Sequence, residues 1–176
     1  MTRDLSAWIE QHAVSSPDRV AIRFEGTEIS YRALHVRIQK TAGFLHNTHG
    51  IGRGDRVAYL GFNTPECVIS LFACARLGAV YLPLNWRLAL PELDHVLGHA
   101  EPKVLITDSP HRESAVGLVN GRSECTLIDC ANVVPTSEDS DTTLVESSFG
   151  GGPDVPLLLV YTSGTTGQPK GAVLTQ

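Results

Sequence analysis

Residues Tyr161 to Gly171 read YTSGTTGQPKG and stand directly behind the apolar run Val155 to Val160. That order predicts a strand that ends in an anion-cradling loop. Glycines let backbone N–H groups approach an anion and take up positive φ, serine and threonine hydroxyls add donors, and Lys170 supplies a point charge suited to polyphosphate. The spacing is not that of the common P-loop, which needs four residues between its glycines and then Lys-Ser/Thr. Here two residues separate Gly164 from Gly167, and Lys170 precedes Gly171. A nucleoside triphosphate is the ligand such chemistry fits.

The rest of the composition removes competing functions. A net charge of −5, with 19% charged and 42% hydrophobic residues, gives no general attraction to nucleic acid or anionic membrane. Basic and aromatic residues are not interleaved in any stretch, so no nucleic-acid partner is expected. No apolar run approaches the roughly 20 residues that span a bilayer, and Met1 to Gln11 carries Asp4 and Glu10 in place of a signal-peptide core. A cytoplasmic location is expected. Cys67, Cys74, Cys125 and Cys130 lie at spacings of seven and five that match no zinc pattern, and are read as buried free thiols. His95 and His99 stand at i and i+4, but Val96 occupies the place where a metalloprotease helix needs glutamate, so both are expected to be solvated or capping. No metal ligand and no catalytic side chain is expected within the chain.

Along the chain, apolar periodicity predicts a helix over Leu5 to Ala13, a hairpin from Val20 to Tyr31 turning at Glu25-Gly26-Thr27, and a helix from Tyr31, capped by Ser30 and ended by Gly50. A strand from Arg56 to Phe62 follows, then a helix from Pro65 to Leu77 with Thr64 as its cap and Gly78 as its stop. Strands are predicted over Ala79 to Leu84, Val104 to Thr107 and Cys125 to Asp129, with helical stretches from Pro91 to His99 and Ser109 to Val119. Strands that alternate with helices in this way build an α/β fold, a mostly parallel sheet flanked by helices on both faces. Residues 131–154 break the pattern. They hold Glu138, Asp139, Asp141, Glu146 and Asp154 without a lysine or arginine, plus Gly150-Gly151-Gly152-Pro153, and read as an acidic flexible connection. The chain therefore divides into an α/β portion over 1–130, the connection over 131–154, and a strand with its phosphate loop over 155–176.

Residue for residue, YTSGTTGQPKG resembles the phosphate loop of the adenylate-forming superfamily, which comprises acyl- and aryl-CoA synthetases, luciferase and peptide-synthetase adenylation domains. VAIRFEGTEISY, GRGDRVAYLGFNTPE and LGAVYLPLNWRLALPEL extend the resemblance to the opening of an acyl-CoA synthetase. The resemblance implies the N-terminal part of the large domain of an adenylate-forming enzyme. It implies ATP, Mg²⁺ and coenzyme A as cofactors, and a carboxylic acid that is first adenylated with release of pyrophosphate and then passed to the thiol. It also implies that Thr162, Ser163, Thr165, Thr166 and Lys170 contact the β- and γ-phosphates while Gly164, Gly167 and Gly171 give the loop its shape. Pro169 would stiffen the approach to Lys170, and Tyr161 would pack; as an alternative to phosphate contact, Lys170 could pair with a carboxylate when no nucleotide is bound.

Peptide-synthetase domains place Asp-Pro and Tyr-Pro where this sequence has Asn85-Trp86-Arg87-Leu88, which points to a fatty or aryl acid. Relatives of this kind continue well past the position of Gln176, where many carry histidine, into the adenine pocket, the Mg²⁺-associated glutamate and the catalytic lysine. The expectation is an inactive N-terminal piece of an acyl-CoA synthetase. The alternative is a non-catalytic module that associates as a homodimer or with another chain through apolar faces.

Overall fold

A computed structural model of the chain describes residues 5–133, 152, 154–162 and 169–176. Helix α1 (Ser6–Ser15) leads into the antiparallel hairpin of β1 (Val20–Phe24) and β2 (Thr27–Ser30), whose tight turn is made by Glu25 and Gly26, both at positive φ. Helix α2 (Tyr31–His49) starts where the Ser30 hydroxyl accepts the Ala33 N–H, and stops at Gly50, whose φ of 63° closes the last turn. Then come β3 (Arg56–Leu60), α3 (Pro65–Leu77), β4 (Val80–Leu84), α4 (Leu90–Ala100) and β5 (Val104–Thr107). A 3₁₀ turn at Ser109–His111 introduces α5 (Arg112–Val119), followed by β6 (Thr126–Asp129) and α6 (Cys130–Val133). The last two strands are β7 (Pro156–Thr162) and β8 (Lys170–Thr175).

Six of these strands form one sheet in the order β6-β5-β3-β4-β7-β8. Every pairing is parallel except β7 with β8. Period-two alternation on the central strands feeds two cores. Val57, Tyr59, Tyr81 and Ile106 face one side, where Leu34, Ile38, Leu45, Ile69 and Leu77 of α2 and α3 cover them. Ala58, Leu60, Leu82 and Leu105 face the other, under Leu93, Leu97 and Leu118 of α4 and α5. A sheet buried on both faces needs near-continuous apolar strands, and β3 to β5 supply them.

Several boundaries depart from the sequence expectations for physical reasons. Strand β3 ends at Leu60 and not at Phe62, because the Phe62 N–H donates to the Asp108 carboxylate at 2.8 Å and leaves the ladder. Thr64 occupies the N-cap of α3 in extended conformation but its side chain does not cap; its hydroxyl lies 3.4 Å from the Tyr59 hydroxyl. Helix α6 occupies 130–133, where the acidic connection was expected to begin, and the Thr41 hydroxyl of α2 donates to the Val133 carbonyl. Strand β7 continues two residues past Val160, because it gains an antiparallel partner, β8, that periodicity did not reveal. Only Cys74 is fully buried among the four free thiols, the other three being half-buried.

Candidate functional site

Strand β3 leads into α3 on one face of the sheet, and its neighbour β4 leads into α4 on the other. Adjacent strands whose connections leave in opposite directions open a crevice beyond their carboxyl ends, the place where open α/β sheets take their ligands. The loops that reach this crevice carry Gly61-Phe62, Asn85-Trp86-Arg87 and Asp108 to His111.

Asp108, 7% exposed, organises that edge. One carboxylate oxygen accepts the Phe62 N–H, and the other takes the His111 N–H at 3.1 Å and the His111 imidazole Nδ1 at 2.5 Å. Gly61 is required beside it, since a Cβ there would stand 2.8 Å from the Asp108 carboxylate oxygen. The pinned loops bring three rings together, with centroids 5.1 Å apart for Phe62 and Trp86, 4.8 Å for Phe62 and His111, and 5.5 Å for Trp86 and His111. The Arg87 guanidinium lies 4.3 Å over Trp86. Phe62 remains 42% exposed, so the cluster offers aromatic surface and a cation at the mouth of the crevice. Sequence reading did not find Asp108, His111 or Phe62, although an acid directly after a parallel strand is a usable signal.

Of the sequence-predicted phosphate residues, Thr162 ends β7 and Lys170 starts β8. Thr162 and Lys170 are cross-strand partners, as are Tyr161 and Gly171. The strands thus bring the first and last of the predicted phosphate contacts side by side. Ser163, Gly164, Thr165, Thr166 and Gly167, between them, fall outside the described residues. Lys170 is exposed, and among the described residues no carboxylate stands within ion-pair distance of it. An uncompensated ammonium beside a hydroxyl fits a polyphosphate. The resemblance gave Gly171 to loop shape, whereas the structure puts it inside β8 under a ring: a Cβ there would come 3.2 Å from Tyr161 Cζ and 2.9 Å from Leu159 Cδ1.

Tyr161 does pack, and it also hydrogen-bonds His99 of α4, with 2.5 Å between its hydroxyl and Nδ1. Both His95 and His99 are solvent-exposed, as expected, and their rings stack 6.5 Å apart. A cavity of about 200 Å³ lies between β7 and the β4–α4 connection, lined by Leu84, Asn85, Leu88, Val96, Val160 and Tyr161. A larger open groove of about 850 Å³ runs over the amino end of the sheet past Arg56, Lys103 and Arg122. Those cations are already matched by Glu101, Asp55 and Asp94, and the groove lies away from the carboxyl-end crevice.

Burial raises the pKa of the Cys67, Cys74, Cys125 and Cys130 thiols, which keeps them protonated and weakly nucleophilic. Among the described residues no group of three or more His, Cys, Asp or Glu side chains could hold a metal ion. None of the described helices is long and apolar enough to cross a membrane.

Comparison with known proteins bears on this arrangement directly. The chain is 40% identical to the indoleacetate–CoA ligase of Aromatoleum aromaticum, over 98% of this chain and 35% of that protein. It is 41% identical to a feruloyl-CoA synthase from an Amycolatopsis species, over 97% of this chain and 33% of the relative. Among solved structures, the o-succinylbenzoate CoA synthetase of Bacillus subtilis, in complex with its acyl-adenylate intermediate, superposes with a TM-score of 0.82 at 27% identity, over 98% of this chain and 43% of that one. The chain spans about a third of the length of the curated relatives it matches. Residues 9–176 match the family described as AMP-binding enzyme, so the fold, the hairpin and the sequence converge: the chain belongs to the AMP-binding enzymes and corresponds to the N-terminal part of their CoA-ligase-type members.

Proposed function

We propose that this chain contributes the pyrophosphate-facing wall of the ATP site in an acid–thiol ligase that adenylates a carboxylic acid and transfers the acyl group to coenzyme A. The observation that carries the reading is the cross-strand pairing of Thr162 with Lys170, which sets a hydroxyl and an uncompensated ammonium at the two ends of the Ser/Gly/Thr segment. Adenylation asks a protein mainly to hold the carboxylate against the α-phosphate and to neutralise charge as pyrophosphate leaves. In this reading Thr162, Ser163, Thr165, Thr166 and Lys170 donate to the β- and γ-phosphates, and Gly164 and Gly167 let backbone N–H groups do the same. Mg²⁺ supplies further charge neutralisation when it accompanies ATP. Relatives named for indoleacetate and ferulate support an aryl or similar simple acid.

ATP–pyrophosphate exchange in the natural chain that carries this sequence tests the proposal: exchange should require a carboxylic acid and collapse in Lys170→Ala. Exchange unaffected by that substitution would refute the assignment. The 176 residues alone are proposed to be inactive in the same assay, since the relatives are about three times longer.

One observation favours a second reading, in which the 176-residue chain acts without catalysis by self-association. Strand β8 is an edge, exposed along its whole length, with Val173 at 59% and Leu174 at 48% exposure. Such an edge is a template for pairing with a second copy. Light scattering across a concentration series decides this, a monomer throughout counting against it.

A further inference from the structure

We infer that His99 is a positioning residue for the carboxyl end of β7 and the start of β8, acting through Tyr161; the inference rests on the reading of Thr162 and Lys170 given above. The central strands are held by continuous ladders, but β7 meets β4 at the single register pair Tyr81↔Leu158. Beyond Leu158 no further register pair joins β7 to β4, although Leu159 and Tyr161 still pack against the core that holds Leu82 and Leu84. Among the described residues, the hydrogen bond between Tyr161 and His99 is the one side-chain hydrogen bond tying residues 159–175 to the rest of the protein.

The contact is built from several sides. The Tyr161 and His99 rings meet edge to face, with centroids 5.7 Å apart and an interplanar angle of 85°. Gly171, directly across the ladder from Tyr161, leaves room for the ring to lie over β8. His95, one turn earlier on α4, stacks on the far partner at an interplanar angle of 22°. The cavity of about 200 Å³ beside Tyr161 gives the ring somewhere to swing when the hydroxyl is not held. Tyr161 is one residue from Thr162, and Gly171 one residue from Lys170. Fixing the first pair therefore fixes the orientation of the second, the last register pair of the ladder, and with it the placement of the ammonium and the hydroxyl proposed to face the phosphates.

The test has two arms. In the 176-residue chain, Tyr161→Phe keeps the ring and removes only its hydroxyl, and His99→Ala removes the partner. Both should speed hydrogen exchange of those β7 and β8 amides that donate across the β7–β8 ladder by about fivefold, with α2 and α3 unchanged, while His99→Asn, which keeps an acceptor near the Nδ1 position, restores most of the protection. Unchanged exchange in both Tyr161→Phe and His99→Ala would overturn the inference. In the natural chain, the same variants should raise KM for ATP several-fold and leave KM for the acid as it was. An equal rise in both would point to general loosening and contradict the assignment. Absence of any acid-dependent exchange in the wild type would sink the proposed function instead, and the hydrogen-exchange arm would still decide on His99.

Discussion

The centre of the sheet and its β7–β8 edge are built from similar apolar residues but held in different ways. Strand β3 is in register with β4 at five consecutive pairs and with β5 at four, and both its faces are covered by helices. Strand β7 shares one pair with β4, and β8 is exposed throughout. Burial can make a scaffold rigid, but it would also remove a lysine and its neighbouring hydroxyl from water and from ligand. The edge keeps Thr162 and Lys170 accessible, and precision is recovered there by a few specific contacts: a glycine under a ring, and a ring tied to a helix. Local stability should therefore fall steeply from β3 to β8.

The largest effect should come from breaking the centre. Leu82→Ala, in a strand residue with no exposed surface, should cost about 2–5 kcal/mol of global stability by denaturant titration, because the cavity forms between layers that cannot collapse. Asp108→Ala comes next. It strands the N–H groups of Phe62 and His111 at the crevice, and should cost about 1–3 kcal/mol and alter the fluorescence of Trp86, which packs on both rings. At the edge, Gly171→Val should cost about 1 kcal/mol, felt as faster amide exchange in β8 and not in β3, since its Cβ would press on Leu159 and Tyr161. Equal loss of protection in both strands would mean that edge and centre unfold as one unit, and would break the comparison.

A smaller, pH-dependent effect should belong to the α1–α2–α3 side. Burial, with Glu10 opposing and Arg76 reinforcing, lowers the pKa of His35 from its ordinary value of 6.5. The folded state thus binds this proton less readily than the unfolded chain does. Its contribution is full above about pH 6.5 and is lost as pH falls below that value toward the folded pKa. Thermal melts should show stability dropping on acidification through this window, and His35→Gln should flatten the drop. Removing Glu10, whose charge raises the His35 pKa, should lower that pKa further and deepen the drop on acidification.

What the sequence showed plainly was whatever depends on neighbours along the chain. Ser30 capping α2, Gly50 and Gly78 ending helices at positive φ, Pro65 opening α3 and the strand–helix alternation are all local, and all are present. The proposal of an anion cradle in YTSGTTGQPKG likewise rests on residue types in a short span, read without reference to the fold. Contacts between distant positions were not legible. Tyr161 and His99 are 62 residues apart, Phe62 and Asp108 are 46 apart, and no periodicity links them. Thr64 shows the same limit in reverse: it has a capping residue's identity, but Tyr59 lies within reach of its hydroxyl and no side-chain cap forms.

The central claim, that the β7–β8 edge is the triphosphate-facing part of an acid-adenylating site, is tested most directly by ATP–pyrophosphate exchange in the natural chain with Lys170→Ala beside the wild type. The account predicts acid-dependent exchange that falls by about a hundredfold or more in the variant. Exchange at wild-type rates in Lys170→Ala would contradict it.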